Sequence, residues 1–268
     1  MNPTMRRVLT AVVLLAIFLP AILWAPAWLW QALIAVVVVL AAFEWALLSA
    51  FPLFSARLYA AVLGMLAWGL PGMLAERWPD FQIGLFMLAA AFWLIVAPLW
   101  MLGRWPGDRP VLRAAVGCAL LLPTAAALVY LHEQGPGVLL GTLAIVWIAD
   151  TAAYFAGRAF GRHKLAPAIS PGKTWEGVAG ALLALALYAA VLNGVAGLPL
   201  VSLFLVMAGL LYLSVLGDLF ESWIKRLAGM KDSGTILPGH GGVLDRVDAL
   251  TSTLPVAAGI LLWLEFAK

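Results

Sequence analysis

The stretch AWLWQALIAVVVVLAAFEWALLS, residues 27–49, carries a single charged residue, Glu44. A helix of about 20 residues crosses the roughly 30 Å of hydrocarbon in a membrane, so this stretch is long enough for one span. Its apolar residues run all round the helix and do not alternate with polar ones, which excludes the two-residue pattern of an outer-membrane strand. The stretch therefore predicts a transmembrane α-helix.

Comparable apolar runs recur along the whole chain. Of its 268 residues, 65% are hydrophobic and 11% are charged, whereas soluble domains have about 45–50% apolar and 25% charged residues. The sequence thus predicts an all-α, polytopic integral membrane protein with about nine transmembrane helices. Nucleic-acid binding is not expected, because no basic domain lies outside the membrane. The predicted spans are 8–24, 27–49, 57–75, 82–102, 113–131, 137–157, 175–195, 199–218 and 249–267.

The positions of the basic residues predict the orientation. If the N-terminus is cytoplasmic, all Lys and Arg residues except Arg77 and Lys268 fall in loops on the cytoplasmic side. Loops on that side carry an excess of Lys and Arg in membrane proteins, so we expect a cytoplasmic N-terminus. The residues on that side are Arg6, Arg7, Arg57, Arg104, Arg109, Arg113, Arg158, Arg162, Lys164, Lys173, Lys225, Arg226, Lys231 and Arg246.

The chain divides by composition into two halves. Residues 1–135 are apolar helices joined by short loops and predict a scaffold, while residues 136–268 carry two polar cytoplasmic loops, 158–174 and 219–248. Chemistry is therefore expected in the second half. Glu44 is an exception in the scaffold, since an ionisable group within a span is costly and functional by default. Three roles are open for Glu44 from the sequence: it binds a polar neighbour, it is protonated, or it lines a cavity.

The second polar loop predicts a site for phosphate chemistry. Asp218 is followed one turn later by Glu221 and Ser222, and Asp245 and Asp248 are likewise three residues apart. If the loop folds back, these acids meet and offer the hard oxygen ligands that Mg²⁺ requires. Clustered carboxylates and cations fit phosphoryl or nucleotidyl transfer. For one acid alone, such as Asp245, capping of the last helix is an equal alternative.

The first polar loop predicts an anion-binding segment. Ser170-Pro171-Gly172-Lys173-Thr174 opens the seventh span, and a helix start combines exposed backbone N–H groups with a favourable dipole for anions. Asp150 and Arg158 lie just before this loop. The alternative is that its basic residues only anchor the loop at the lipid headgroups.

Two spaced motifs resemble the phosphatidate cytidylyltransferases, the CDP-diacylglycerol synthases. The first is Ser222-x-Ile-Lys-Arg, four residues, Lys-Asp-x-Gly234, then Leu237-Pro-x-His-Gly-Gly-Val-x-Asp-Arg-Val-Asp248. The region from Asp150 to Gly177 is similar to the other polar loop of that family. Outside these regions the resemblance is only one of hydropathy.

The resemblance implies that CTP and phosphatidic acid react to CDP-diacylglycerol and pyrophosphate, with Mg²⁺ required, at a bacterial cytoplasmic (inner) membrane. It implies metal ligation by Asp218 and Asp245, then by Asp248 and Asp150. Lys225 and Arg246 complete the catalytic set. His240 is expected to donate hydrogen bonds or organise the loop, since an anionic acceptor needs no strong base. The other substrate-binding residues that it suggests are Arg158, Ser170, Lys173, Ser222, Arg226, Lys231, Gly241 and Gly242.

Two other functions stay open at this point. A CTP-using lipid-alcohol kinase would need similar metal and phosphate groups, but a hydroxyl acceptor would require a base. An ion-coupled transporter is the weaker alternative, because transporters place critical charges near the bilayer midplane, whereas these charges lie in two loops. Similar family members suggest a homodimer. Acyl-chain preference, CTP against dCTP, and the need for a second cation are not indicated by the sequence.

Overall fold

Helices make up nearly all of the protein in a computed structural model that describes residues 2–103 and 109–266. Within these residues, nine helical stretches are long and apolar enough to cross a membrane. The prediction of an all-α polytopic protein with nine spans is therefore confirmed. Arg104 and Lys268, two of the residues used to predict the orientation, lie outside the described residues.

The elements follow one another with short connections. The first five helices are α1 (Pro3–Trp24), α2 (Ala27–Leu48), α3 (Leu53–Arg77), α4 (Pro79–Ala91) and α5 (Ala97–Gly103), the last two being joined into one span by a π-helical turn (Phe92–Val96). The others are α6 (Pro110–Glu133), α7 (Pro136–Phe160), α8 (Trp175–Ala196), α9 (Leu200–Leu227) and α10 (Leu244–Phe266). Strands β1 (Lys164–Ala166) and β2 (Ser170–Thr174) form an antiparallel hairpin between α7 and α8.

Helices α2, α6 and α10 form the buried centre of the bundle. Around them, α3 packs on α2, α9 on α10, and α8 on α7. Indole N–H groups tie the central helices together: Trp30 donates to the Leu128 carbonyl at 3.0 Å, and Trp45 donates to the Arg113 carbonyl at 2.7 Å. Helix α1 is exposed along most of its length, so it contributes little to the core.

Long-range contacts bring the polar segments to one end of the bundle, called here the polar end. Thr10 in α1 donates to the Pro238 carbonyl at 2.9 Å, Glu44 accepts from the Leu244 amide, and Lys173 pairs with Asp218. The start of α1, the end of α2, the hairpin and the α9–α10 connection therefore lie together. The two polar loops of the sequence both lie at this end, which agrees with the predicted topology, because it places them on the same side of the membrane.

The boundaries of both polar loops differ from expectation. Helix α9 continues to Leu227 and α10 begins at Leu244, so only residues 228–243 of the predicted 219–248 loop are non-helical; we call them the glycine loop. Hydropathy falls where polar residues begin, but Glu221 and Lys225 stay helical because they pair with each other inside the protein. In the first loop, Ser170–Thr174 forms a strand, and its last residue, Thr174, also caps the start of α8, because its hydroxyl accepts the Gly177 amide at 3.1 Å.

Candidate active site

An ion-pair network joins α9 to α10 at the polar end. The Lys225 ammonium lies 2.6 Å from Oδ1 of Asp245 and 3.1 Å from Oε1 of Glu221, and its side chain is only 10% exposed. Asp245 also accepts the Ser233 amide at 3.0 Å and the Gly242 amide at 2.8 Å. Asp245 thus holds the glycine loop at two points, Ser233 and Gly242, and Lys225 balances its charge.

A second ion pair joins the hairpin to α9. Lys173 in β2 lies 2.7 Å from Oδ2 of Asp218, and the Ser222 hydroxyl donates to the other oxygen of Asp218 at 3.2 Å. The hairpin is itself fixed by Glu176 in the first turn of α8, which accepts the backbone amide of His163 at 3.2 Å and contacts its ring nitrogen at 2.7 Å. The two polar loops of the sequence therefore meet at Asp218.

Three carboxylates cluster where α7, α9 and α10 come together. Asp150 and Asp218 line the same cavity as Lys173, and the backbone carbonyl of Asp248 packs against Gly217, the residue before Asp218. Asp248 accepts a hydrogen bond from the Ala249 amide at 2.8 Å. The two acid pairs predicted to meet, one on each side of the glycine loop, do so here. Like charges gathered in this way favour binding of a cation.

The donor chemistry of this cluster fits Mg²⁺. Among the described residues, no group of three or more His, Cys, Asp or Glu side chains is arranged to hold a metal ion. Mg²⁺ nevertheless needs only one or two protein carboxylates, since waters and substrate phosphates complete its shell. Asp218 and Asp248 can provide that part. Metal ligation by Asp218, Asp245 and Asp248 stays a prediction, and in this structure Asp245 is occupied by three protein donors.

The glycine loop encloses the first of two cavities, here named the loop cavity, of about 640 Å³. Gly239 and Gly241 have φ angles of +78° and +85°, which L side chains rarely adopt, so these glycines allow the tight turn. His240 is among the residues that line the cavity, and its buried Nδ1 has no hydrogen-bond partner among the described residues. Four of the lining side chains can be cationic and one, Asp232, is acidic. The cationic set is Arg7, Lys231, His240 and Arg246.

The second cavity, the hairpin cavity, has a volume of about 440 Å³ and lies between the hairpin and α7, α8 and α9. One part of its wall is apolar, formed by side chains such as Val178, Leu211 and Val215. The polar part contains the predicted site residues Asp150, Arg158, Ser170, Lys173 and Asp218. A ligand with both an apolar and an anionic portion would match this wall.

The structure thus places one group of the predicted site residues at the loop cavity and another at the hairpin cavity, whereas Lys225, Asp245 and Asp248 line neither. Three of the predicted substrate-binding residues line neither cavity: Ser222, Arg226 and Gly242. Arg226 donates to the Met230 carbonyl at 3.3 Å, and Ser222 donates to Asp218. Gly242 belongs to the support of the loop, because its amide binds Asp245. Their roles toward substrate stay predictions.

Several residues at the site were not assigned to it from the sequence. Arg7 in α1 lines the loop cavity and donates to the Gly239 carbonyl at 3.2 Å. Ser233 contacts both Glu44 and Asp245. Only Glu44 could be recognised from the sequence as a candidate functional residue, because it is an acid within a predicted span. Arg7 and Ser233 gave none, because their partners are distant in sequence or lie in the loop.

Comparison with known proteins agrees with this geometry. Residues 5–264 match the cytidylyltransferase family. A phosphatidate cytidylyltransferase of Pseudomonas aeruginosa is 38% identical over 268 residues, covering 96% of each chain. Those of Haemophilus influenzae and Bacillus subtilis are 37% and 43% identical over 202 and 128 residues; they cover 70% and 47% of this chain, and 63% and 47% of their own. The chain therefore belongs to the cytidylyltransferase family.

Proposed function

We propose that this protein transfers CMP from CTP to phosphatidic acid, giving CDP-diacylglycerol and pyrophosphate, in a Mg²⁺-dependent reaction. The relatives named phosphatidate cytidylyltransferase support the substrates. The observation that carries the proposal is that Asp150 and Asp218, with Asp248 beside Asp218, lie at a partly apolar cavity, while a second cavity rich in basic residues lies at the same end of the bundle. Such a site suits a charged nucleotide and a lipid phosphate.

The two cavities suggest how the substrates are held. Arg246, Lys231 and His240 in the loop cavity would bind the phosphates of CTP. In the hairpin cavity, Lys173 and Arg158 would bind the phosphate of phosphatidic acid, while the apolar wall contacts its glyceride part. Charge-assisted hydrogen bonds of this kind are stronger than neutral ones and fix the orientation of a phosphate.

The reaction follows as an in-line displacement. An oxygen of the phosphatidate phosphate forms a bond to the α-phosphorus of CTP, and the bond from that phosphorus to the pyrophosphate oxygen breaks. The acceptor is already an anion, so no side chain has to remove a proton. Asp218 and Asp248 would hold Mg²⁺, with Asp150 beside them. What Mg²⁺ supplies when bound is positive charge that offsets repulsion between the two polyanions.

A cytoplasmic site at a bacterial inner membrane also belongs to the proposal. Most Lys and Arg residues of the described chain lie on the side of the polar end, which favours a cytoplasmic location for it. The bacterial relatives support the inner membrane. CTP is a cytoplasmic nucleotide, so the two assignments agree with the reaction.

The test uses the full chain purified in detergent, with phosphatidic acid, Mg²⁺ and CTP labelled at the α or the γ phosphate. Label from the α position should enter lipid, label from the γ position should leave as pyrophosphate, and chelation of Mg²⁺ should stop the reaction. Asp218→Asn should lower kcat about 100-fold, a typical effect of losing a charge-stabilising group. Asp80→Asn, an exposed acid outside the site, is the control. Lipid labelled only from the γ position would instead identify a kinase.

A further inference from the structure

We propose that Glu44 is a positioning residue of the active site: from the scaffold half of the chain, it holds the glycine loop and the start of α10 in the arrangement that catalysis needs. This role rests on the proposed function, since it concerns the same site. Glu44 lies one turn before the end of α2, and its side chain does not line either cavity. It therefore acts through other residues.

The carboxylate of Glu44 accepts three hydrogen bonds from the segment 233–244. Oε1 accepts the Val243 amide at 3.1 Å, while Oε2 accepts the Leu244 amide at 2.8 Å and the Ser233 hydroxyl at 3.1 Å. Glu44 is only 1% exposed. A buried carboxylate is costly unless it is hydrogen-bonded, and these three donors meet that requirement.

Two of these donors stand at the start of α10. Val243 precedes this helix and Leu244 is its first residue, and amides at a helix start have no partner within the helix. A carboxylate in this place is also favoured by the helix dipole. Glu44 thus determines where α10 begins, and Asp245, Arg246 and Asp248 follow within its first two turns.

The third donor connects Glu44 to the ion-pair network. The Ser233 hydroxyl donates a hydrogen bond to Glu44, and the Ser233 backbone amide donates one to Asp245. The Gly242 amide also donates to Asp245. Glu44 and Asp245 therefore both bind Ser233, and each also binds a backbone amide at the end of the glycine loop, Val243 for Glu44 and Gly242 for Asp245. A displacement of either carboxylate would move the loop and with it the lining of the loop cavity.

The glycine loop fits closely around this carboxylate. A Cβ atom on Gly234 or on Gly242 would overlap the Glu44 side chain. A role in packing alone would be met by an apolar residue, as it is by Val38 and Leu48 on the same helix. What Glu44 adds is three directed bonds to a segment about two hundred residues away in sequence.

The experiment compares Glu44→Gln with the wild type. Glutamine keeps the shape, but its NH₂ group must face the Val243 or the Leu244 amide, so at least one bond is lost. Trp30→Phe is the matched control, because it removes one hydrogen bond of the same helix at the opposite end of the bundle. For each folded variant, the measurements are kcat, KM for CTP, and the rate of trypsin cleavage after Lys231, an exposed residue of the glycine loop.

Glu44→Gln should lower kcat/KM about 100-fold, with a higher KM for CTP, because small misplacement of a site costs about that much. Cleavage after Lys231 should become about tenfold faster, because the variant has one hydrogen bond fewer to hold the loop closed. Trp30→Phe should change neither KM nor cleavage. A folded Glu44→Gln protein with the KM and cleavage rate of the wild type would overturn the proposal.

Ser233→Ala provides the same test if Glu44→Gln does not fold. It removes one bond to Glu44 and leaves the carboxylate with its two amide donors, so we expect smaller changes in the same direction, about threefold to tenfold. Unchanged cleavage and KM in this variant would also contradict the role of Glu44. If the wild type makes no CDP-lipid, the proposed function fails, whereas the cleavage rate after Lys231 still tests the hold of Glu44 on the loop.

Discussion

Replacement of Lys225 by methionine should destabilise the protein strongly. Lys225 lies between Asp245 at 2.6 Å and Glu221 at 3.1 Å, and the three side chains are 10%, 6% and 5% exposed. Methionine fills a similar volume but leaves two buried carboxylates without their cation. Removal of one partner from a buried pair costs about 3–5 kcal/mol. For a chain of this size, the melting temperature should fall by roughly 6–20 °C.

The assay is thermal unfolding in detergent, followed by the fluorescence of the thirteen tryptophans. Lys164→Met, which changes an exposed lysine of β1, should leave the melting temperature within about 2 °C, as surface substitutions usually do. Adding Glu221→Gln to Lys225→Met should restore part of the stability, because it removes one uncompensated charge. A Lys225→Met protein that melts with the wild type, or a double variant that is no more stable than the single one, would refute the assigned network.

Two further predictions concern the cavities. Lys173→Met removes the ion pair with Asp218, which is partly exposed, so the free energy of unfolding should change by less than about 1 kcal/mol. The kcat/KM for phosphatidic acid should fall about 10- to 100-fold. An unchanged kcat/KM would exclude Lys173 from lipid phosphate binding. Arg7→Gln should raise KM for CTP about tenfold with little effect on kcat, because Arg7 lines the loop cavity; an effect on kcat alone would contradict a binding role.

The spans were predictable because they depend on local properties. A run of about twenty apolar residues is by itself sufficient to predict a membrane-spanning helix. The second span, for example, was expected at 27–49 and found as Ala27–Leu48. Hydropathy could not locate the end of α9, since it records the first polar residue rather than the last hydrogen-bonded turn. The helix start expected at Thr174 was found, since this residue caps α8, but the hairpin at 164–174 was missed, because the pairing of Lys164 with Thr174 leaves no local pattern in the sequence.

The carboxylates of the site were predictable as a set, but their partners were not. Their spacing around the glycine loop indicated that Asp218 and Asp248 would meet, because helices on either side of a short connection are neighbours. Nothing local assigns Lys225 to Asp245 instead of to a phosphate, and nothing near Glu44 points to Val243. Such pairings depend on how distant helices pack, which the pattern of a single span does not contain.

The acids of the polar end are of two kinds, which differ in the number of protein hydrogen-bond donors that their carboxylates accept. Glu44 and Asp245 each accept three protein donors, so their oxygens are occupied within the described chain and they fix the glycine loop. Asp150, Asp218 and Asp248 lie together with fewer protein donors, so like charges are gathered there. Lys173 offsets part of this charge, since its ammonium lies 2.7 Å from Asp218. A cation bound together with a substrate phosphate would offset more of this charge.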